Sequence, residues 1–169
     1  MEIMKKKLCI MMSAMLLMVA GTMMMACSSD DDVSDQVKLS DLLKIPSDQD
    51  EEITDITSVT WKLYGYGNVM TGLIRKSESL EHNWQNIVTF SKEGTISGYS
   101  SSNDLYGEYS ISGSNMEIIR WGGSKVGEVL DGEKFFQSFK LCKEFEITNN
   151  WLKLYYNEGH DILLFKSLK

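Results

Sequence analysis

The chain has 169 residues, with 24 acidic side chains against 17 basic ones and a net charge of −7. This length holds one ordinary domain plus flanking sequence, and the acidic balance lacks the basic footprint of phosphate-backbone binding, which excludes nucleic acid as a partner. Cys9, Cys27, Cys142, His82 and His160 form no C-x-x-C or H-x-x-H pair, so no zinc-binding pattern is present.

Lys5, Lys6 and Lys7 precede an apolar run from Leu8 to Met25, broken only by Ser13, Gly21 and Thr22. A basic start, an apolar middle and a small residue before a cut is the layout of a secretory signal. The run is near the lower limit for a spanning helix, and an acidic rather than basic flank follows it. Met24-Met25-Ala26-Cys27 resembles a bacterial lipobox, with Met24 where the pattern prefers leucine. The resemblance implies a signal peptide over 1–26 and lipidation of Cys27, whose thiol is soft enough to form a thioether. Two or more acyl chains hold a protein stably on a membrane. Ser29-Asp30-Asp31-Asp32 reads either as the export tag of surface lipoproteins or as solvated linker. The expected location is the outer membrane through this lipid anchor, extending to the cell surface on the first of those readings.

Residues 27–57 read as an acidic tether. Between Cys27 and Thr60, ten acidic residues face only Lys38 and Lys44, whereas Trp61 to Lys169 is nearly neutral with 13 acidic and 12 basic residues. Within the tether, "VKLSDLLKI" (37–45) clusters enough apolar residues for a short helix or docking segment. Asp48, Asp50 and Glu52 alternate as calcium ligands do, but the turn glycine and closing glutamate of such a loop are missing.

From Ser58 onward, short alternating segments separated by turn residues predict strands over 59–65, 84–90, 95–100, 106–111, 115–121, 143–148, 151–156 and 162–167. "DGEKFFQSFKL" interrupts them with helical spacing of Phe135, Phe136 and Phe139 after Asp131, a candidate cap. The expected fold is mainly β within an α+β class: a small antiparallel barrel over 58–169, with one short helix covering an opening. Its candidate core is Trp61, Phe90, Tyr109, Phe145, Leu152, Leu154, Leu163 and Phe165. "GYG" (65–67) and "WGGS" (121–124) read as turns, and Cys142 as a half-buried packing residue.

Several segments, in this order, resemble the META domain, the HslJ-like family of bacterial envelope and heat-inducible proteins. They are Trp61-Lys62-Leu63, Val88-Thr89-Phe90, Gly98…Asn103…Gly107-Glu108-Tyr109, Met116-Glu117-Ile118, Ser124-Lys125-Val126-Gly127-Glu128, Leu152-Lys153-Leu154 and Leu163-Leu164-Phe165. The resemblance makes Gly98, Asn103, Gly107 and Tyr109 the fold motif. The glycines are expected to supply backbone geometries closed to other residues at strand bends, and Asn103 to cap or bridge the turn between them. Ser102 and Glu128 stand where many members of that family carry two cross-linked cysteines, and Lys125 is a candidate partner for Glu128.

No catalytic, cofactor-binding or metal-binding set emerges. Glu144 and Glu146 alternate onto one strand face, as an outward polar row does, and no serine sits in a nucleophile elbow. The expected function is therefore a lipid-anchored accessory or interaction module of the cell envelope. It would contact an envelope protein or a glycan, and it would not be an enzyme. The alternative is a barrel-type carrier of a small apolar ligand, which requires an unfilled interior.

Overall fold

The alternating segments form strands, every pairing antiparallel, in a ring-like sheet. The computed structural model describes residues 35–44 and 52–168. In chain order the elements are β1 (Gln36–Lys38), α1 (Leu39–Leu42), β2 (Thr60–Asn68), β3 (Leu73–Lys76), β4 (Ile87–Phe90), β5 (Thr95–Tyr99) and β6 (Asp104–Ser112). There follow β7 (Asn115–Gly123), α2 (Gly132–Phe139), β8 (Glu144–Thr148), β9 (Trp151–Tyr156) and β10 (Asp161–Leu168).

Strand order is β1-β3-β2-β10-β9-β8-β7-β6-β5-β4, and β4 returns to pair with β2. One edge of β2 is divided between two neighbours. Thr60–Lys62 pair with Ile87–Thr89 of β4 and close the ring, while Gly65–Asn68 pair with β3, which leads outward to β1. The described residues thus form a small barrel-like β domain with a short flap.

The ring is thin between β7 and β8, which share a single register pair, Asn115↔Glu144. Helix α2 packs against β7 here, the Trp121 indole N–H donating to the Phe136 carbonyl at 3.1 Å. Its Phe135 and Phe139 are fully buried among Phe90, Phe165, Leu63 and Leu152, and Trp121 of β7 stacks on Phe139 at 4.4 Å. Every expected core residue packs inside, Phe145 only in part. Four interlocking phenylalanines, with edge-on and stacked contacts, fill the interior as a close-packed core does.

Residues 35–44 and 53–56 are not free tether. The apolar cluster in "VKLSDLLKI" docks on the outside of the ring, where Leu42 is buried with Ile74, Trp151, Ile162 and Leu164. Backbone bonds fix the segment, from the Leu39 N–H to the Gly72 carbonyl at 2.9 Å and through β1–β3 pairing. Ile53 and Ile56 enter the main core, and the Ile53 N–H donates to Asn150 Oδ1 at 2.7 Å. The domain therefore begins before residue 58: apolar residues spaced through acidic sequence were enough to dock it.

Two glycine-rich stretches lie in strands rather than turns. Gly65 and Gly67 sit in β2, where a Cβ on Gly65 would come within 2.3 Å of the Arg75 carbonyl oxygen. Gly122 and Gly123 end β7. Strand β3 was not anticipated, and the predicted strand at 84 starts at Ile87 because Trp84–Asn86 belong to the loop described below.

Candidate functional site

The fold motif occupies the β5–β6 hairpin. Neither Gly98 nor Gly107 has a positive φ, which corrects the expected reason for glycine there. The requirement is close approach: a Cβ would stand 2.1 Å from the Ile87 carbonyl oxygen at Gly98 and 2.5 Å from that of Arg120 at Gly107. Tyr109 is buried edge-on to Phe90 and donates its hydroxyl to the Ser91 carbonyl at 2.7 Å. Asn103 bridges further than its own turn. Its Nδ2 donates to the Val126 carbonyl at 2.8 Å and to Glu128, while its Oδ1 accepts from the Val126 N–H at 2.7 Å and the Ser124 hydroxyl at 3.0 Å.

Asn103 thereby begins a latch on the 124–131 loop. The Glu128 carboxylate accepts from the hydroxyls of Ser100 and Ser101 at 2.6 Å each, the Asn103 amide at 2.6 Å and the Ser102 N–H at 3.2 Å. Ser102 and Glu128 are neighbours, and Glu128 bonds to this turn and not to Lys125. Burial raises its pKa, and the four donors outweigh that and hold it below the ordinary value.

Asp131, three residues on, forms a second latch. Its side chain makes no helix-cap bond, contrary to expectation. It is buried instead, accepting from the hydroxyls of Ser77 at 2.7 Å and Ser79 at 2.9 Å, the Glu78 N–H at 3.1 Å and Asn86 Nδ2 at 2.8 Å. Burial pushes its pKa up, and bonds from Ser77, Ser79 and Glu78 bring it below the usual aspartate range. The same 77–86 loop wraps Lys62, whose ammonium donates to the carbonyls of Ser79 at 2.7 Å, His82 at 2.9 Å and Gln85. Burial lowers the Lys62 pKa to about 8, against the attraction of Asp131. An ammonium has three donors and meets three carbonyls, so the group is saturated structurally.

These latches consume the chemistry-bearing residues at this mouth of the ring. Lys62, Ser79, Asn86 and Asp131 are closed to solvent. Cys142 is fully rather than half buried, and burial drives its pKa upward, as for an inert packing thiol. His82 and His160 lie exposed in turns. Glu144 points outward, and Glu146 pairs with Lys153 at 3.1 Å and Tyr155 at 2.8 Å. Cys27, Asp48 and Asp50 fall outside the described residues.

What remains accessible is a surface. On the outer face of β4–β7, Trp84 is 56% exposed beside Tyr99, their rings 5.3 Å apart, and Tyr106 is 63% exposed over Gly122. A shallow depression of about 670 Å³ lies along Tyr106, Gly107, Glu108 and Arg120. It adjoins a cleft of about 500 Å³ that runs from Tyr106 to Glu128 and Phe136. The signal was present in the alternation of β5 and β6, where Ser97, Tyr99 and Tyr106 fall on the face opposite Ile96 and Leu105.

No known family model and no curated protein matches the chain. It is similar in fold to a DUF4847 family protein from Bacteroides vulgatus ATCC 8482, with TM-score 0.54 and 14% identity, covering 68% of this chain and 95% of that one. A protein from Burkholderia xenovorans is similar with TM-score 0.55 and 18% identity over 74% of this chain and 99% of the other. Both likenesses concern the fold alone.

Proposed function

We propose that this is a lipid-anchored accessory protein of the bacterial cell envelope, with a META-like barrel that serves as a non-catalytic interaction module. The observation that carries the anchor is the boundary at Cys27, where a signal-like apolar run ends in Met24-Met25-Ala26-Cys27 and an acidic stretch follows. Two features of the barrel support the module. Its interior is filled by Phe90, Phe135, Phe139 and Phe165, which leaves a carrier no chamber among them. Buried Asp131 and Lys62 and half-buried Glu128 are all held by neutral partners from the same domain. The outer membrane, reached through the signal peptide, is the compartment this reading assigns, and the partner is an envelope protein or glycan.

Metabolic labelling with a palmitate analogue tests the anchor. The wild type should carry the label and fractionate with membranes, and Cys27→Ser should lose both. A Cys27→Ser chain that stays with membranes would replace the lipid anchor with an uncleaved spanning signal.

A further inference from the structure

We infer that the bare outer face of β4–β7 binds a neutral oligosaccharide chain laid across the strands. This deepens the reading of the domain as an interaction module by naming the ligand class.

The register sets one straight row across five strands: Thr60↔Thr89, Thr89↔Ser97, Ser97↔Tyr106 and Tyr106↔Gly122. At ordinary strand spacing the row is about 19 Å long. Its side chains are hydroxyls and one glycine, so the floor is shallow and rich in groups that both donate and accept. Thr60 and Thr89 already exchange a hydrogen bond at 2.9 Å across the row, which shows their hydroxyls on this face. Aromatic rings stand along it. Trp84 and Tyr99 flank one side, and the Tyr106 ring lies flat enough over Gly122 that a Cβ there would meet it at 3.1 Å.

A pyranose ring has an apolar face of C–H groups and a rim of hydroxyls. The C–H face fits an aromatic ring, whose π cloud is negative, and the rim fits serine and threonine hydroxyls. Charge separates this ligand from the others. On an acidic chain this row carries no ionised group, and the adjoining Glu108 and Arg120 neutralise each other at 3.1 Å. Lys125 lines the adjoining cleft together with Glu128 and Glu133, so a phosphate or an anionic lipid would meet more carboxylate than cation there. An apolar helix or a second copy would need aliphatic side chains, as the opposite face supplies to α1, and this row has none.

The test is affinity electrophoresis of the full chain through gels containing a β-1,3-glucan, an α-1,4-glucan or a xylan. At least one should retard the wild type. Trp84→Ala and Tyr106→Ala should each weaken that retardation roughly tenfold or more, while Met70→Ala, 82% exposed in the β2–β3 turn, should not. Near-ultraviolet circular dichroism from buried Trp61 confirms that each variant is folded. Absence of retardation of the folded wild type in all three gels overturns the proposal, as does retardation that the Trp84→Ala, Tyr106→Ala double variant keeps. So does a protein partner whose capture is lost in the same two variants. The gel reads the face without the membrane, so a failed anchor at Cys27 and a failed glycan face give separate results.

Discussion

The barrel has two outer faces that the chain treats differently. Over β2, β9 and β10, large apolar side chains (Trp151, Ile162, Leu164) would lie in water, and residues 36–43 fold back to cover them. Over β4–β7 the outward residues are mostly polar, Ser97, Tyr106, Glu108 and Arg120 among them, and the chain leaves Tyr106 open. Aliphatic area gives a covering segment a reason to stay, at about 25 cal/mol per Å² removed from water. A hydroxyl floor gives it little, since water already satisfies those groups. The open side is secured from beneath by polar latches, and the closed side by packing.

Removing a latch should have the largest effect. Asp131→Ala takes the shared acceptor from four donors, three of them on buried residues, and should cost about 3 kcal/mol in chemical denaturation. The carboxylate also makes the latch sensitive to pH. Its pKa is lowered in the folded chain, so its stabilisation is complete above the ordinary aspartate value and is lost as pH falls through the lower folded one. Asp131→Asn should lack that share of the acid-side loss. An Asp131→Ala domain as stable as wild type would mean that packing holds both sides alike.

The Glu128 latch allows a sharper comparison, because a covalent link can replace it. A Ser102→Cys, Glu128→Cys double variant should oxidise readily, and its melt with and without reductant should differ by an amount near 3 kcal/mol for a loop of about 25 residues. Glu128→Cys alone should fall below wild type, because the Ser100, Ser101 and Asn103 donors lose their acceptor. A double variant that stays reduced under mild oxidant would sever the correspondence with the cross-linked family.

On the covered side, Leu42→Ala should cost about 2–3 kcal/mol. Hydrogen exchange should quicken in 36–43 well before it does in β9 or β10. If the whole sheet loosened together, the cover would be part of the barrel's cooperative unit and no separate layer.

Much of the ring was legible because alternation is a local signal. Ile96, Leu105, Leu152 and Leu154 each declare an inward side, and Phe135 and Phe139 declare a helix by spacing. Strand β3 escaped because "LIRK" is four residues with two adjacent apolar ones, too short for a period. The apolar cluster of 37–45 was legible as a short helix or docking segment, but not where it docks, because Trp151 and Ile162 lie more than a hundred residues away. The latches were the least visible. Asp131 looked like a cap from its place before a helix, and only the tertiary approach of 77–86 turns it inward. Gly98 was picked out for the right position and the wrong reason, since a cross-strand carbonyl cannot be read from one strand.

The longest ladders include that between β2 and β10, eight register pairs from Thr60↔Leu168 to Asn68↔Asp161. The first long strand and the last are therefore bonded to each other. A growing chain that has not yet produced residue 161 has no partner for that edge of β2, and it still lacks Leu163 and Phe165 at the centre of its core. Closing so large a loop comes late and slowly. The topology itself postpones closure of the ring until β10 has arrived.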